Sequence, residues 1–206
     1  EIQLGYATIR ASRISYVGEL GWELLIPSDM AAHVYETLVE AGQDLELTNV
    51  GMHAMNSLRI EKAYRHWGHD IADEDTPIEA GLEFAVRFDK PGGFIGREAL
   101  LKQKERGLVA KRMVQFLMED PEVMLYHNEP IIRDGTICGY ITSGMYGHTL
   151  GGSVGMGYLN NPLERGGVDS EFVNSGSYEI EVACKRYPAQ ASLEPLYDPG
   201  NERIKS

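Results

Sequence analysis

The amino-acid sequence predicts an α+β fold that ends in a small all-β barrel. Apolar residues at helical spacing occur before about residue 108, and short alternating runs at hairpin spacing dominate after it. The 206 residues, 43% of them hydrophobic, are enough for one large domain or two small ones, each with its own core. We therefore predict an α+β part over residues 1–107 and a β-barrel over residues 108–206.

The first part opens with extended structure and continues with a helix. Residues 8–17 are rich in β-branched and aromatic side chains, and residues 24–26 resume that pattern after two glycines that mark a turn. Ser28 stands where a helix N-cap belongs. Apolar residues then recur at helical spacing as far as Gly42, which suits the position after a helix end.

Three further elements complete the first part. A second helix is predicted from near Gly51 to residues 67–68, because apolar side chains recur three apart. Residues 84–88 alternate in a way that predicts a strand. Residues 97–106 predict a short helix that Gly107 ends.

The second part is predicted from strand signals alone. Asp-Gly at 134–135 separates two apolar runs and is typical of a two-residue hairpin turn. Strands at this spacing are typical of a small barrel or sandwich, and we expect the barrel. The predicted strands are residues 113–117, 131–132, 137–142, 154–159 and 178–182.

The charge balance excludes several classes of partner. The chain carries 19 Lys and Arg against 31 Asp and Glu, a formal net charge of −12. An acidic surface repels nucleic acid and anionic membranes, so we expect neither as a partner. No apolar run approaches the roughly 20 residues of a membrane span. Two cysteines are typical of a reducing compartment, which predicts a cytoplasmic location.

Two local motifs have simple structural explanations. Gly-Gly-Ser-Val-Gly at 151–155 matches a nucleophile-elbow pattern, but a strand-like run rather than a helix follows it, which favours a glycine-rich turn. His66, His69 and Asp70 are metal-ligand types, yet structural zinc sites need four ligands in recognisable pairs, so we expect surface polar residues and no metal. The dinucleotide and phosphate-loop motifs are absent.

The most informative stretch is residues 16–23, Tyr-Val-Gly-Glu-Leu-Gly-Trp-Glu. Two glycines allow a sharp turn that can bring an aromatic ring and a carboxylate into one cavity. A carboxylate there would accept two hydrogen bonds from a flat heterocycle with adjacent N–H groups, while aromatic rings pack on the ligand. The alternative is a structural turn in which Trp22 is core and both glutamates are solvated.

Several ordered segments, which together span nearly the whole chain, carry a family resemblance. They are residues 13–27, 54–68, 76–84, 94–100, 142–147 and 195–199. These segments are similar to the tetrahydrofolate-binding region shared by the glycine cleavage T-protein, an aminomethyltransferase, and the C-terminal half of FAD-dependent sarcosine and dimethylglycine dehydrogenases. Leu-Arg-Ile-Glu-Lys at 58–62 and Arg-His-Trp-Gly at 65–68 resemble the dehydrogenase branch in particular.

The resemblance implies a folate cavity in which Glu23 accepts hydrogen bonds from the pterin ring and Tyr16 lines the same cavity. The chain would then hold about half of a folate-binding α+β region, followed by the terminal β-barrel. Met55 stands where many T-proteins have an arginine that contacts folate, which favours the dehydrogenase branch. The family's catalytic Asp and the FAD domain lie upstream of this stretch, so we expect no catalytic residue here and no activity from this chain alone.

The implied function is the folate-binding, one-carbon-transfer portion of a sarcosine- or dimethylglycine-dehydrogenase-like protein. A stand-alone aminomethyltransferase and a non-catalytic folate-binding or interaction module are the alternatives. The expected partners are tetrahydrofolate and the upstream half of the same polypeptide, in the mitochondrial matrix if the source is a eukaryote. Glu1 at the first position indicates a chain cut from a longer protein or processed, and the apolar surface left uncovered predicts self-association.

Overall fold

The computed structural model describes residues 1–206, which divide into two compact units. One unit contains Glu1–Asn56 together with Gly200–Ser206, and the other contains Ser57–Pro199. The mixed helix and strand composition and the barrel agree with the predicted fold class. No helix has both the length and the apolar composition that crossing a bilayer requires.

The first unit is built on a three-stranded antiparallel sheet, in the order β1 (Ile2–Leu4), β2 (Ala7–Ser12), β3 (Glu23–Leu25). Alternation along β2 turns Ala7 and Ile9 to one face, where Val34 from helix α1 (Ala31–Gly42) completes a small core. The extended structure and the helix were both predicted. Helix α2 (Met52–Glu61) starts in this unit.

Helix α1 starts and ends differently from the prediction. A 3₁₀ turn at Ser28–Met30 precedes it and no side chain caps either element, so the prediction of Ser28 as N-cap is wrong. Gly42 lies inside the helix, and the left-handed residue that follows is Glu46, with φ 57°. A Cβ on Gly42 would lie 2.6 Å from the Cβ of Leu47. Gly42 therefore permits close packing and does not end the helix.

The second unit contains a closed six-stranded antiparallel barrel, in the order β4-β7-β6-β5-β8-β9. Its interior is filled by large apolar side chains such as Phe116, Ile141 and Leu159, none of which is exposed to solvent. The predicted barrel is confirmed, and each predicted strand lies within or overlaps an observed one. The strands are β4 (Lys111–Met118), β5 (Pro130–Arg133), β6 (Thr136–Gly147), β7 (Gly152–Asn160), β8 (Tyr178–Val182) and β9 (Lys185–Ser192).

Three predictions concern the segments from α2 to α3, of which two are wrong and one is confirmed. Helix α2 ends at Glu61 rather than at residues 67–68, and Ala63 beyond it is left-handed with φ 55°. Residues 84–88 form no strand, because the segment has no pairing partner and begins with a 3₁₀ turn at Glu83–Ala85. Helix α3 (Arg97–Arg106) is present as predicted, ended by Gly107 with φ 75°.

Three elements after residue 110 were not predicted. Helix α4 (Ser170–Ser175) is capped by Asp169, whose Oδ1 accepts the backbone N–H of Phe172 at 2.7 Å. Strand β9 contains Pro188, which cannot donate to a β-ladder, and this obscured the strand pattern. A short helix α5 (Glu202–Lys205), at the C-terminus, belongs to the first unit.

Candidate functional site

Residues 13–22 form an irregular segment that connects β2 to β3 and contains the predicted turn. Gly18 has φ 80°, a left-handed conformation that favours glycine. A Cβ on Gly21 would lie 3.4 Å from the carbonyl oxygen of Ile14, so a larger residue there would press on the backbone. The glycines of this stretch therefore serve the backbone path that leads into β3.

Glu23 is the first residue of β3, and its side chain lies on the sheet face opposite the core. It is in register with Ser12 of β2. The next residue, Leu24, turns the other way and packs against the core of the unit. The Glu23 side chain is exposed and makes no hydrogen bond or ion pair within the protein. Both carboxylate oxygens are therefore available to a ligand.

The aromatic residues of the turn are also accessible. Tyr16 is 37% exposed and Trp22 is 62% exposed. Trp22 is therefore not core, so the purely structural alternative for the turn is wrong on this point. Glu19 is partly buried, in contrast to Glu23. That Tyr16 and Glu23 line one folate cavity stays a prediction.

The Leu-Arg-Ile-Glu-Lys motif at 58–62 is largely buried, which the sequence did not reveal. Arg59, Ile60, Glu61 and Lys62 each expose 2% or less of their surface. Ile60 packs in an apolar cluster with Met156 and other residues of the barrel wall. Three charged side chains buried to this degree require partners within the protein.

Arg59 and Asp70 form the centre of a buried polar network. Arg59 Nη1 lies 2.6 Å from Asp70 Oδ2, and Arg59 Nη2 donates to Ser143 Oγ at 2.8 Å. Asp70 also accepts the backbone N–H of His66 at 2.9 Å and the hydroxyl of Thr142 at 2.5 Å. The pair joins the segment after α2 to strand β6.

Glu61 and Lys62 extend this network to other parts of the unit. Glu61 Oε1 accepts the backbone N–H groups of Thr149 and Leu150, both at 2.8 Å, at the turn between β6 and β7. Lys62 Nζ lies 3.0 Å from Asp198 Oδ2. These contacts tie the end of α2 to the barrel, so the motif has a structural role in this chain.

The expected surface cluster of His66, His69 and Asp70 is only partly correct. Both histidines are exposed, with ring centroids 5.6 Å apart. Asp70, in contrast, is 2% exposed and paired with Arg59, so its prediction as a surface residue is wrong. The structure contains no group of three or more His, Cys, Asp or Glu placed to hold a metal ion.

Ser153 of the Gly-Gly-Ser-Val-Gly stretch does not occupy a nucleophile elbow. It is fully buried within β7, and its Oγ contacts Met124 Sδ at 3.8 Å. The turn before β7 contains Gly151 with φ 75°, as expected for a glycine-rich turn. A nucleophile elbow needs a helix after the serine, and here the strand continues to Asn160.

The two cysteines differ in their predicted reactivity. Burial raises the pKa of Cys138 to about 11, so its thiol stays protonated at neutral pH. Cys184 is exposed in the β8–β9 turn. We expect a thiol reagent at pH 8 to label Cys184 rapidly and Cys138 only after unfolding. The Cys184→Ser variant should therefore resist labelling in its native state, and rapid labelling of that variant would contradict the assignment.

Comparison with family models gives two matches. The GCVT N-terminal domain matches residues 1–90. The glycine cleavage T-protein C-terminal barrel domain matches residues 111–198. Together they account for most of the chain, and the second contains all six strands of the observed β-barrel.

Two individual proteins are similar in sequence to nearly the whole chain. The chain is 45% identical over 205 residues to 4-methylaminobutanoate oxidase (formaldehyde-forming) of Paenarthrobacter nicotinovorans, covering 100% of this chain and 23% of that protein. It is 42% identical over 197 residues to human mitochondrial sarcosine dehydrogenase, covering 96% of this chain and 21% of that protein. The chain thus spans less than a quarter of the length of either relative.

A solved structure shows the same fold. The crystal structure of glycine cleavage system aminomethyltransferase T from Bartonella henselae matches with a TM-score of 0.77 at 26% identity. The match covers 92% of this chain and 50% of that one. The architecture described above is therefore that of half of an aminomethyltransferase.

Proposed function

Because the chain belongs to the glycine cleavage T-protein family, we propose that it is the folate-binding, one-carbon-transfer part of a larger dehydrogenase of N-methyl amines such as sarcosine or dimethylglycine. The family-model matches and the dehydrogenase relatives support this proposal. The observation that carries it is the Glu23 carboxylate, which is exposed and unpaired at the end of a tight glycine turn.

The chemistry of Glu23 fits a pterin ligand. A carboxylate is an acceptor with two oxygens, and it can bind two adjacent N–H donors of a flat heterocycle through charge-assisted hydrogen bonds. Glu23 has no internal partner to give up, so binding would not break an existing interaction. The rings of Tyr16 and Trp22, both accessible, offer apolar surface in the same segment.

The larger protein would supply the other components of the reaction. An upstream FAD would supply the oxidation of the N-methyl amine, and tetrahydrofolate, held by Glu23 and Tyr16, would take up the one-carbon unit. We assign FAD to an upstream domain, because no residue pattern in this chain fits a dinucleotide. A catalytic Asp is likewise assigned upstream. The role of this chain is to hold the pterin and to help enclose it against water.

The domain division and the location follow from the same proposal. We propose that residues 1–107 complete the folate region and that residues 108–206 form the terminal barrel domain. The compact units divide instead at Asn56 and Ser57, because residues 57–107 pack in one unit with the barrel. A mitochondrial matrix location is proposed for a eukaryotic source and a cytoplasmic one otherwise.

Turnover by the complete protein tests this function. We expect the complete protein, given an N-methyl amine and tetrahydrofolate, to form 5,10-methylene-tetrahydrofolate, and the 206-residue chain alone to form none. Aminomethyl transfer from a lipoyl carrier without amine oxidation would instead identify a stand-alone aminomethyltransferase. Folate binding without any turnover would identify a binding module. Sustained turnover by the isolated chain would contradict the assignment of FAD and Asp upstream.

The isolated chain is also expected to self-associate. Leu45, Val50 and Met52 in the first unit are largely exposed, as are Phe84 and Ile95 in the second. Apolar side chains at this exposure favour association when no other segment covers them. Sedimentation velocity over a wide concentration range should show species larger than a monomer. A strictly monomeric profile would contradict this expectation.

A further inference from the structure

A cavity of about 230 Å³ lies in the second unit, and its lining shares no residue with the turn at 13–23 or with the buried network of Arg59. It is formed by the end of α3, the start of β4 and the segment that leads into α4. Ile78, Val109 and Val168 give it an apolar wall. Its polar lining side chains are Glu83, Gln103, Lys104, Arg112, Asp169 and Ser170.

Arg112 supplies hydrogen-bond donors to this cavity. It is only partly exposed, and its one hydrogen bond runs from Nη1 to the carbonyl oxygen of Ile78 at 2.5 Å. Nε and Nη2 therefore have no protein acceptor. A second guanidinium adds positive charge nearby, since a Cβ on Gly81 would lie 2.7 Å from Arg65 Nη2 and 3.7 Å from Arg112 Nη2. A carboxylate beside Arg112 would satisfy these donors and offset this charge.

Gln103 and Asp169 supply acceptors to the same cavity. Gln103 Oε1 is buried and has no hydrogen-bond partner. Asp169 Oδ1 accepts the backbone N–H of Phe172 at 2.7 Å, which leaves Oδ2 without a partner. The Gln103 oxygen is a buried acceptor without a donor, which is unfavourable, so a ligand N–H that donates to it would be stabilised. Asp169 is exposed, and it supplies a negative charge to the same ligand.

The remaining charged lining residues are Glu83 and Lys104, and the Glu83 carboxylate also interacts electrostatically with the Arg112 guanidinium. Lys104 Nζ lies 2.7 Å from Glu83 Oε1, and both side chains are partly exposed at the rim. Their charges cancel. Among the lining side chains outside this pair, a ligand meets one cation, Arg112, and one anion, Asp169, with a buried amide acceptor from Gln103. Arg65 is not a lining residue.

We propose that this cavity binds a small zwitterion, a molecule with a carboxylate and an ammonium group, which is the chemistry of an α-amino acid. The carboxylate pairs with Arg112 and the ammonium donates to Asp169 and Gln103. A simple anion would satisfy Arg112 but face the Asp169 carboxylate. A simple cation would pair with Asp169 but face the Arg112 guanidinium. The volume of about 230 Å³ suits a small amino acid and excludes a nucleotide.

Three small probes that differ in their charged groups distinguish these classes in the 206-residue chain. Glycine carries both charges, acetate carries only the carboxylate and methylammonium carries only the cation. Chemical-shift titration of the Gln103 side-chain amide and of the Asp169 backbone amide should show saturable binding of glycine. Acetate and methylammonium should each bind at least about tenfold more weakly than glycine, because each lacks one of the two charged groups and its charge-assisted contact.

Asp169→Asn is the decisive variant, because its amide oxygen can still cap α4 through the Phe172 N–H. It should weaken glycine binding by about tenfold or more and strengthen acetate binding. Asp120→Asn is the matched control, since Asp120 Oδ1 accepts the backbone N–H of Glu122 in the same manner and lies outside the cavity. The Asp120→Asn variant should bind glycine and acetate with unchanged affinity.

A second variant guards against an indirect effect on folding. Gln103→Leu keeps the size of the side chain and removes the acceptor, and should also weaken glycine binding. Acetate binding as tight as glycine binding, glycine binding unchanged by Asp169→Asn, or no saturable shift with any probe would each overturn the proposal.

Discussion

Replacing Asp70 with alanine is expected to lower the free energy of unfolding by about 3–5 kcal/mol. The Asp70 side chain is fully buried and that of Arg59 is 3% exposed, at an Nη1–Oδ2 distance of 2.6 Å. Removing the carboxylate takes away the acidic partner of a buried guanidinium, and also leaves the His66 backbone N–H without this acceptor. The measurement is urea unfolding of both proteins, followed by circular dichroism.

Two further variants test whether the loss of stability comes from the Arg59–Asp70 ion pair or from any substitution in this loop. Asp73→Ala is the matched control, because Asp73 is exposed in the same loop and should change the free energy of unfolding by at most about 0.5 kcal/mol. The double variant Arg59→Met with Asp70→Leu should recover much of the loss, since it removes both buried charges together. A loss below about 1 kcal/mol in Asp70→Ala would contradict the assigned network.

The elements that sequence reasoning predicted correctly are those with local determinants. Asp134 and Gly135 adopt φ values of 49° and 80°, the left-handed pair that an Asp-Gly hairpin turn requires. Gly107 ends α3 in the left-handed conformation for the same reason. Each of these signals needs only a few consecutive residues, so no tertiary context had to be known.

The elements that were missed depend on distant partners. The motif at 58–62 reads as a charged helix end, and charged runs are usually solvated. Its burial depends on Asp70, Ser143, the turn at 149–150 and Asp198, which no local pattern connects to it. The prediction of a strand at 84–88 was wrong for a related reason. A strand needs a neighbouring strand to pair with, and that segment has none.

The candidate folate site was identified partly by local chemistry and partly by family resemblance. The glycine turn and the exposure of Glu23 follow from the backbone around Gly18 and from the alternation in β3. The choice of Glu23 over Glu19 came from the resemblance. The structure gives a physical difference between them, because Glu23 has no internal partner while Glu19 is partly buried and makes internal interactions.

Glu23→Gln is expected to weaken tetrahydrofolate binding by the complete protein roughly 30- to 1000-fold, which corresponds to about 2–4 kcal/mol. Glutamine keeps the shape of the side chain but replaces one acceptor oxygen with an NH₂ donor. That donor would face an N–H of the pterin, and the charge assistance of the other hydrogen bond would be lost. Because the Glu23 side chain makes no hydrogen bond or ion pair within the protein, the free energy of unfolding of the Glu23→Gln variant should be unchanged.

Tetrahydrofolate titration of the complete protein, carrying Glu23→Gln or Glu19→Gln, is the measurement that tests the folate assignment most directly. Both variants make the same chemical change in the same turn, so each serves as the control for the other. We expect the large loss of affinity in Glu23→Gln and little change in Glu19→Gln. Equal affinities in the two variants would mean that the turn is structural, and a larger loss in Glu19→Gln would mean that the other carboxylate holds the ligand.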